Sequence, residues 1–281
     1  MMINKKIISG LIIILLSALF TEMAGAQTYT RVFDFKKGDE FQSEIIITSN
    51  AMIKRGKQVL NLSSTNNLTK SYKIQQADDQ GYKFAVAINK MKAAIDANKV
   101  RTSFDTDNKT DTTSNILKGL FFVVNKPIAV TISKNGSIQN AEEYKLEMAS
   151  DTLISFAGLQ PEIFKKGLLI NFLADFTYRK DIKKGYTWTD STTVTGVKAK
   201  TRFLVDHIDE NITILNFFKT STNSLLNTNS NGTYVIDNRT GLIVEKYVYI
   251  IAVGYQVSAG NMMYAVSRTV SIVEKTKKVP K

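Results

Sequence analysis

The chain has 281 residues, with 37 Lys+Arg against 25 Asp+Glu, a single His and no Cys. Disulfides, thiol nucleophiles, cysteine zinc sites and a lipid-modified N-terminal cysteine are therefore excluded, as is any site that needs several imidazoles. A hydrophobic content of 43% with 22% charged residues belongs to an ordered globular chain, long enough to build its core without cross-links.

Residues 1–26, MMINKKIISGLIIILLSALFTEMAGA, read as a signal peptide. Lys5 and Lys6 form the basic start, Ile7 to Phe20 the apolar run, and Ala24-Gly25-Ala26 the small-residue cleavage pattern before Gln27. The run is shorter than the roughly 20 residues of a spanning helix. Cleavage after Ala26 takes 26 of 281 residues and leaves 255. It removes Lys5, Lys6 and Glu22, so the formal charge falls from +12 to +11. The expectation is an exported protein, periplasmic or secreted, with no transmembrane span in the mature chain. Its Lys and Arg residues are scattered, and the densest run is the tail Lys275, Lys277, Lys278 and Lys281. Export argues against a nucleic-acid partner, while an anionic membrane surface stays open.

The mature chain alternates with period two. From Leu60 to Ile74, one face carries Leu60, Leu62, Leu68, Tyr72 and Ile74, and the other Asn61, Ser63, Thr65, Asn67, Thr69 and Lys73. That is a long half-buried strand. Asp78-Asp79-Gln80-Gly81 makes a turn, after which Tyr82, Phe84, Val86 and Ile88 resume the alternation.

Three segments look helical. Ser114 to Val124 gathers Ile116, Leu117, Leu120, Phe121 and Val124 on one face, with Pro127 as a stop. Asn140-Ala141-Glu142-Glu143 resembles a capping box that opens a helix to Phe156, ended by Gly158. Pro161 suits a first turn, and EIFKKGLLINFLADF after it is apolar over a broad face.

The second half repeats parts of the first. Lys36-Lys37-Gly38 returns as Lys183-Lys184-Gly185, and the glycine turn of TISKNGSI (131–138) has its counterpart in VIDNRTGLI (235–243). Val244 to Val257 and Met263 to Val273 flank a turn at Ser258-Ala259-Gly260-Asn261. The expected organisation is a single mature domain, 27–281. Pseudo-repeats at 28–140 and 177–275 would be joined by a helical segment, 141–176. The expected fold is mainly β (α+β): a strongly curved antiparallel sheet, or two facing half-barrels, with two to three short apolar helices packed on one face.

Catalytic chemistry is thin. His207 stands alone in Asp206-His207-Ile208-Asp209-Glu210, and no Gly-x-Ser-x-Gly elbow presents a serine to it. The pairs Asp39-Glu40, Asp78-Asp79 and Glu142-Glu143 are adjacent residues at turns or a helix start, not carboxyls facing each other across a cleft. Asp105-Thr106-Asp107-Asn108 has Lys109 where a calcium loop needs an oxygen ligand. No phosphate-binding or dinucleotide fingerprint occurs, so the expectation is no enzyme, no cofactor and no metal.

The segments FDFKKGDEF, SFDTDNKTD, KPIAVTISKNGSI, Gly185-x-x-Trp188 and GTYVIDNRTGLI together resemble an uncharacterised family of exported Gram-negative bacterial proteins, a domain of unknown function. That resemblance implies a fold and carries no catalytic residues. The expected architecture is also similar to the half-barrels of periplasmic lipoprotein carriers, whose bent sheets shelter acyl chains.

Two functional readings follow. In the first, a half-barrel groove binds a lipid, an acyl chain or another hydrophobic ligand. Its lining would be Leu60, Leu62, Tyr72, Phe84, Val86, Ile88, Leu120, Phe121, Phe164, Leu168 and Phe172. In the second, the chain is an interaction or structural module for an envelope protein, with Tyr247, Tyr249, Tyr255 and Tyr264 as its patch.

Overall fold

Alternating apolar and polar residues over long stretches produce strands, and the structure is built from them. This computed structural model describes residues 31–108, 124, 126–142, 157–159, 162, 164–174, 181–194, 197–223, 225–257 and 263–281. The first wing holds β1 (Glu40–Arg55), β2 (Gln58–Asp78), β3 (Gly81–Ala97), β4 (Val100–Asp105), β5 (Ile128–Ser133) and β6 (Ile138–Ala141). The second holds β7 (Thr187–Val194), β8 (Val197–Ile208), β9 (Ile212–Thr222), β10 (Leu226–Asp237), β11 (Ile243–Val257) and β12 (Met263–Lys278). All twelve lie in one sheet in the order β6-β5-β3-β2-β1-β12-β11-β10-β9-β8-β7, with β4 beside the far half of β3. The wings meet where β1 pairs with β12, from Phe41 opposite Lys278 to Lys54 opposite Ala265.

The fold is therefore all-β, and the expected α+β class is corrected. One continuous sheet replaces the alternative of two facing half-barrels. Among the described residues there is no helix. The predicted helix at 114–124 lies outside the described residues except for Val124, which forms a parallel bridge to Ile88. Residues 143–156 of the second predicted helix also lie outside them.

The third predicted helix is a strap of turns over 164–174. Gly167 has φ +86°, in the left-handed region, which a continuing helix does not allow. Its amide donates to Ile138 O, Leu168 O accepts from Ile138 N, and Ala174 N donates to Gly241 O. These backbone groups are satisfied by the sheet's own turns, so no helical ladder forms. The broad apolar face that imitated a buried helix is a chain crossing the core, with Ile170, Phe172, Leu173 and Ala174 buried.

One ring reveals how far the sheet curls. In a flat sheet, β5 and β10 stand six strand spacings apart, about 29 Å. Yet a Cβ at Gly136, in the β5–β6 turn, would lie 2.7 Å from Phe33 Cε2, and one at Gly241, in the β10–β11 turn, 2.8 Å from Phe33 Cε1. Leu169 bridges to Ser137 and Leu173 to Leu242, so four residues of strap, reaching at most about 14 Å, span the same gap. Residues 31–36 make a second strap: Phe33 N donates to Lys134 O at 2.9 Å, and Arg31 Nη2 to Asn238 O at 2.9 Å. At this end the sheet is drawn nearly shut.

The inner face fills in layers. Under the straps, Phe33, Phe35, Phe41, Tyr72, Tyr82, Phe84 and Phe172 pack with Ile74, Val130 and Ile132. At the opposite end of the first wing, Ala51, Ile53, Leu62, Met91, Ile95, Phe104 and Val266 form a second apolar cluster. A polar layer lies between them. Lys70 pairs with Glu162, Lys246 Nζ reaches Glu274 Oε2 at 3.4 Å, and the Ser43 and Thr276 hydroxyls share a hydrogen bond of 2.7 Å. Beside it, Ser64 Oγ and Asn66 Nδ2 both donate to Ala157 O at 2.8 Å, fixing the loop 157–159 on the sheet. The second wing carries an inward aromatic row, Trp188, Phe203, Phe217 and Tyr234, with centroids 4.8, 6.4 and 4.7 Å apart along it.

Candidate functional site

The inner face changes character at the end away from the straps. Pairing of Ile53 with Leu60 and with Val266, and of Arg55 with Gln58, fixes which side chains share this face. Ile53 and Arg55 of β1, Gln58 and Leu60 of β2, and Tyr264 of β12 line a cleft of about 480 Å³, closed at one side by Val59 and Asn98. Asn98 holds that side in place: its Oδ1 accepts the Asn61 amide at 2.9 Å and its Nδ2 donates to Val59 O at 3.4 Å.

The floor of the cleft is the second apolar cluster, against which Leu60 and Tyr264 pack. Its rim is cationic. The Arg55 guanidinium sits 6.0 Å from the Tyr264 ring centroid. Two rows deeper on the same face, beneath the cleft, Arg268 Nε donates to Ser49 Oγ at 3.3 Å, and burial lowers its pKa. Apolar walls with a cation at one side can receive an apolar chain that ends in an anionic or polar head.

The residues singled out from sequence scatter over the molecule. Leu60 lines the cleft and Leu62 is buried beneath it. Tyr72, Phe84, Val86 and Phe172 are buried in the first cluster, and Phe164 packs half-buried against it. Ile88 is half-buried against the second cluster, and Leu168 is 41% exposed on the strap. Leu120 and Phe121 lie outside the described residues. Ile53, Arg55, Gln58, Val59 and Asn98 were not singled out, and Tyr264 was assigned to the tyrosine patch rather than to a groove. Alternation along β1 puts Ile53 and Arg55 on one face, but only the pairing of β1 with β12 brings Tyr264 to them.

The polar motifs have local partners. His207 Nε2 and Asp209 Oδ2 are 3.0 Å apart on an exposed turn. Amides of Ile212 and Asn211, together with His207, hold Asp209 down to about 2. Asp105 Oδ1 accepts the Asp107 amide at 3.0 Å, and Asp105 Oδ2 lies 3.2 Å from Lys92 Nζ, the pattern of a capped turn.

On the outer face, Tyr247, Tyr249, Ile251, Val253 and Tyr255 follow one another along β11, between 40% and 51% exposed. The aromatic group read from sequence therefore divides, because Tyr264 points into the cleft while the other three tyrosines face solvent.

No family model matches the chain, and no curated protein matches it. Among solved structures, lipovitellin, described for its lipid–protein interactions, aligns at 10% identity and a TM-score of 0.49 over 88% of this chain. The chain spans 26% of that protein's length. An outer-membrane channel from Pseudomonas putida F1 aligns at 6% identity and a TM-score of 0.27, over 91% of this chain and 100% of that one. Pseudomonas aeruginosa OccK5 gives 9% identity and 0.20, over 85% and 98%. Among the described residues no helix is long and apolar enough to cross a membrane.

Proposed function

We propose that the protein is an exported, non-catalytic binding protein that takes the apolar part of a lipid or similar amphiphile into the cleft between Ile53, Leu60 and Tyr264. The observation that carries this reading is an apolar cleft of about 480 Å³ in direct contact with the second core cluster. That volume falls within the range of about 300–1,000 Å³ usual for small-molecule sites. Arg55 at the rim favours a carboxylate or phosphate head over a neutral one.

The mature protein, incubated with dodecanoate or dodecanol and examined by native mass spectrometry, should bind one molecule of either. Leu60→Asp places a charge in the apolar wall and should weaken both at least tenfold. Arg55→Gln should weaken dodecanoate more than dodecanol. If the native protein takes up neither compound, the reading fails.

A further inference from the structure

The outer face carries a second surface with a different chemistry. Strand register places its side chains in rows. Tyr249 stands beside Asn231 and Phe218 on one side and beside Ser271, Thr48 and Thr65 on the other. The next row reads Thr220, Asn229, Ile251, Thr269, Asn50 and Ser63. The third reads Thr222, Asn227, Val253, Ser267, Met52 and Asn61. Across six strands these three rows contain no charged residue, in a chain whose formal charge is +12. Charges are confined to the borders. Arg202, Lys200 and Lys198 of β8 flank one side, the pairs Lys275–Glu245 and Lys277–Glu44 close one end, and at the other end Lys54 stands two strands from Tyr255 in the next row.

From these rows we infer that the outer face binds an extended, uncharged polysaccharide, laid along β11 and bordered by the amides and hydroxyls of β10, β12 and β1. A sugar ring presents aliphatic C–H faces and a rim of hydroxyls. The first need flat aromatic or apolar partners, and the second need short neutral donors and acceptors. Both are present here in alternating lines. Tyr249 and Tyr255 are separated by about 20 Å along the strand, enough for several linked rings.

Two other occupants fit less well. A nucleic acid or acidic protein would be expected over the Lys and Arg residues, which the rows leave out. A second copy of this chain would bury a broad apolar core, whereas in these three rows the apolar side chains of β11 are flanked on both sides by Asn, Ser and Thr.

The test is affinity electrophoresis of the mature protein through gels containing hydroxyethyl cellulose, laminarin or glycol chitin, with analytical ultracentrifugation alongside. At least one polymer should retard the native protein, and 0.5 M salt should leave the retardation unchanged. Tyr249→Ala combined with Tyr255→Ala should weaken it at least tenfold, while the Phe replacements retain it. These side chains are exposed, and circular dichroism would verify that the variants fold. Leu60→Asp, on the opposite face, should leave retardation intact, which separates this surface from the amphiphile cleft. The inference is overturned if none of the three polymers retards the protein. It is equally overturned if the tyrosine replacements abolish a dimer and affect no polymer.

Discussion

Replacing Phe172 with Ala should cost about 3–5 kcal/mol of unfolding free energy, seen as a lower urea midpoint at an unchanged slope. Phe172 is 1% exposed and stands within one aromatic contact of four rings. Its centroid lies 4.3 Å from Tyr72, 5.4 Å from Phe41, 6.0 Å from Phe84 and 6.5 Å from Phe35. Those rings come from β1, β2, β3 and the strap 31–36, so they cannot close together over the void. The same residue is carried by the strap that joins the β5–β6 turn to the β10–β11 turn. Its removal should therefore also loosen the curled end, and amide exchange at Ala174 and Ile243 should rise ahead of exchange in the middle of β1. Phe172→Leu, which keeps most of the volume, should cost less than half as much.

Lys70→Ala, measured near pH 6 where the amine is protonated, is the second substitution with a large expected effect, again about 3–5 kcal/mol. It strips Glu162 of its cation in a layer where Glu274 is also buried. Combining Lys70→Met with Glu162→Leu removes both charges and should recover most of that loss, the mark of an ion pair whose desolvation nearly cancels its attraction.

The same group makes stability depend on pH. Burial pushes the Lys70 ammonium down to about 7, with Glu274 opposing and Lys246 adding to the shift. Its folded-state pKa thus lies below the ordinary 10.5. Between those values the unfolded chain holds the proton more tightly, so stability rises with pH across the window and is lost as pH falls toward 7. Urea midpoints should increase from pH 7 to pH 9 by the equivalent of about 2 kcal/mol. The doubly substituted chain should lack that slope. A flat wild-type profile would show that the amine stays charged in the folded state.

The strands were legible because alternation is a local property. Leu60 to Ile74 announces one face of β2, and Asp78-Asp79-Gln80-Gly81 the turn that follows. The Asp78 carboxylate accepts the Gln80 and Gly81 amides at 2.9 and 3.1 Å. The strap at 164–174 was misread for an equally local reason. An apolar stretch says that it is buried without saying what satisfies its backbone, and here Ile138 and Gly241 do so. The cleft was half legible. Leu60 lies on a readable strand face, but Tyr264 reaches it only through pairing between residues some 200 positions apart. No period within a strand encodes that pairing.

That pairing has a consequence for the order of assembly. Within each wing, strands pair with neighbours in sequence or, for β3 and β5, with the next but one. Such contacts close over short loops and so form early. The β1–β12 seam cannot form until the final residues, Met263 to Lys278, have been made. If both wings were still unfolded, closing a loop of roughly 200 residues instead of a hairpin would cost about 3–4 kcal/mol more. Seating the last strand between two bodies that are already folded, β1–β6 and β7–β11, avoids much of that cost, so its zippering becomes the natural late step. Until it happens, β1 and β11 each offer an open edge of fifteen or sixteen residues, long enough to pair with the same strand of another molecule. A chain truncated before Met263 would remain in that state, and it should accumulate as aggregates built through the edges that the last strand normally seals.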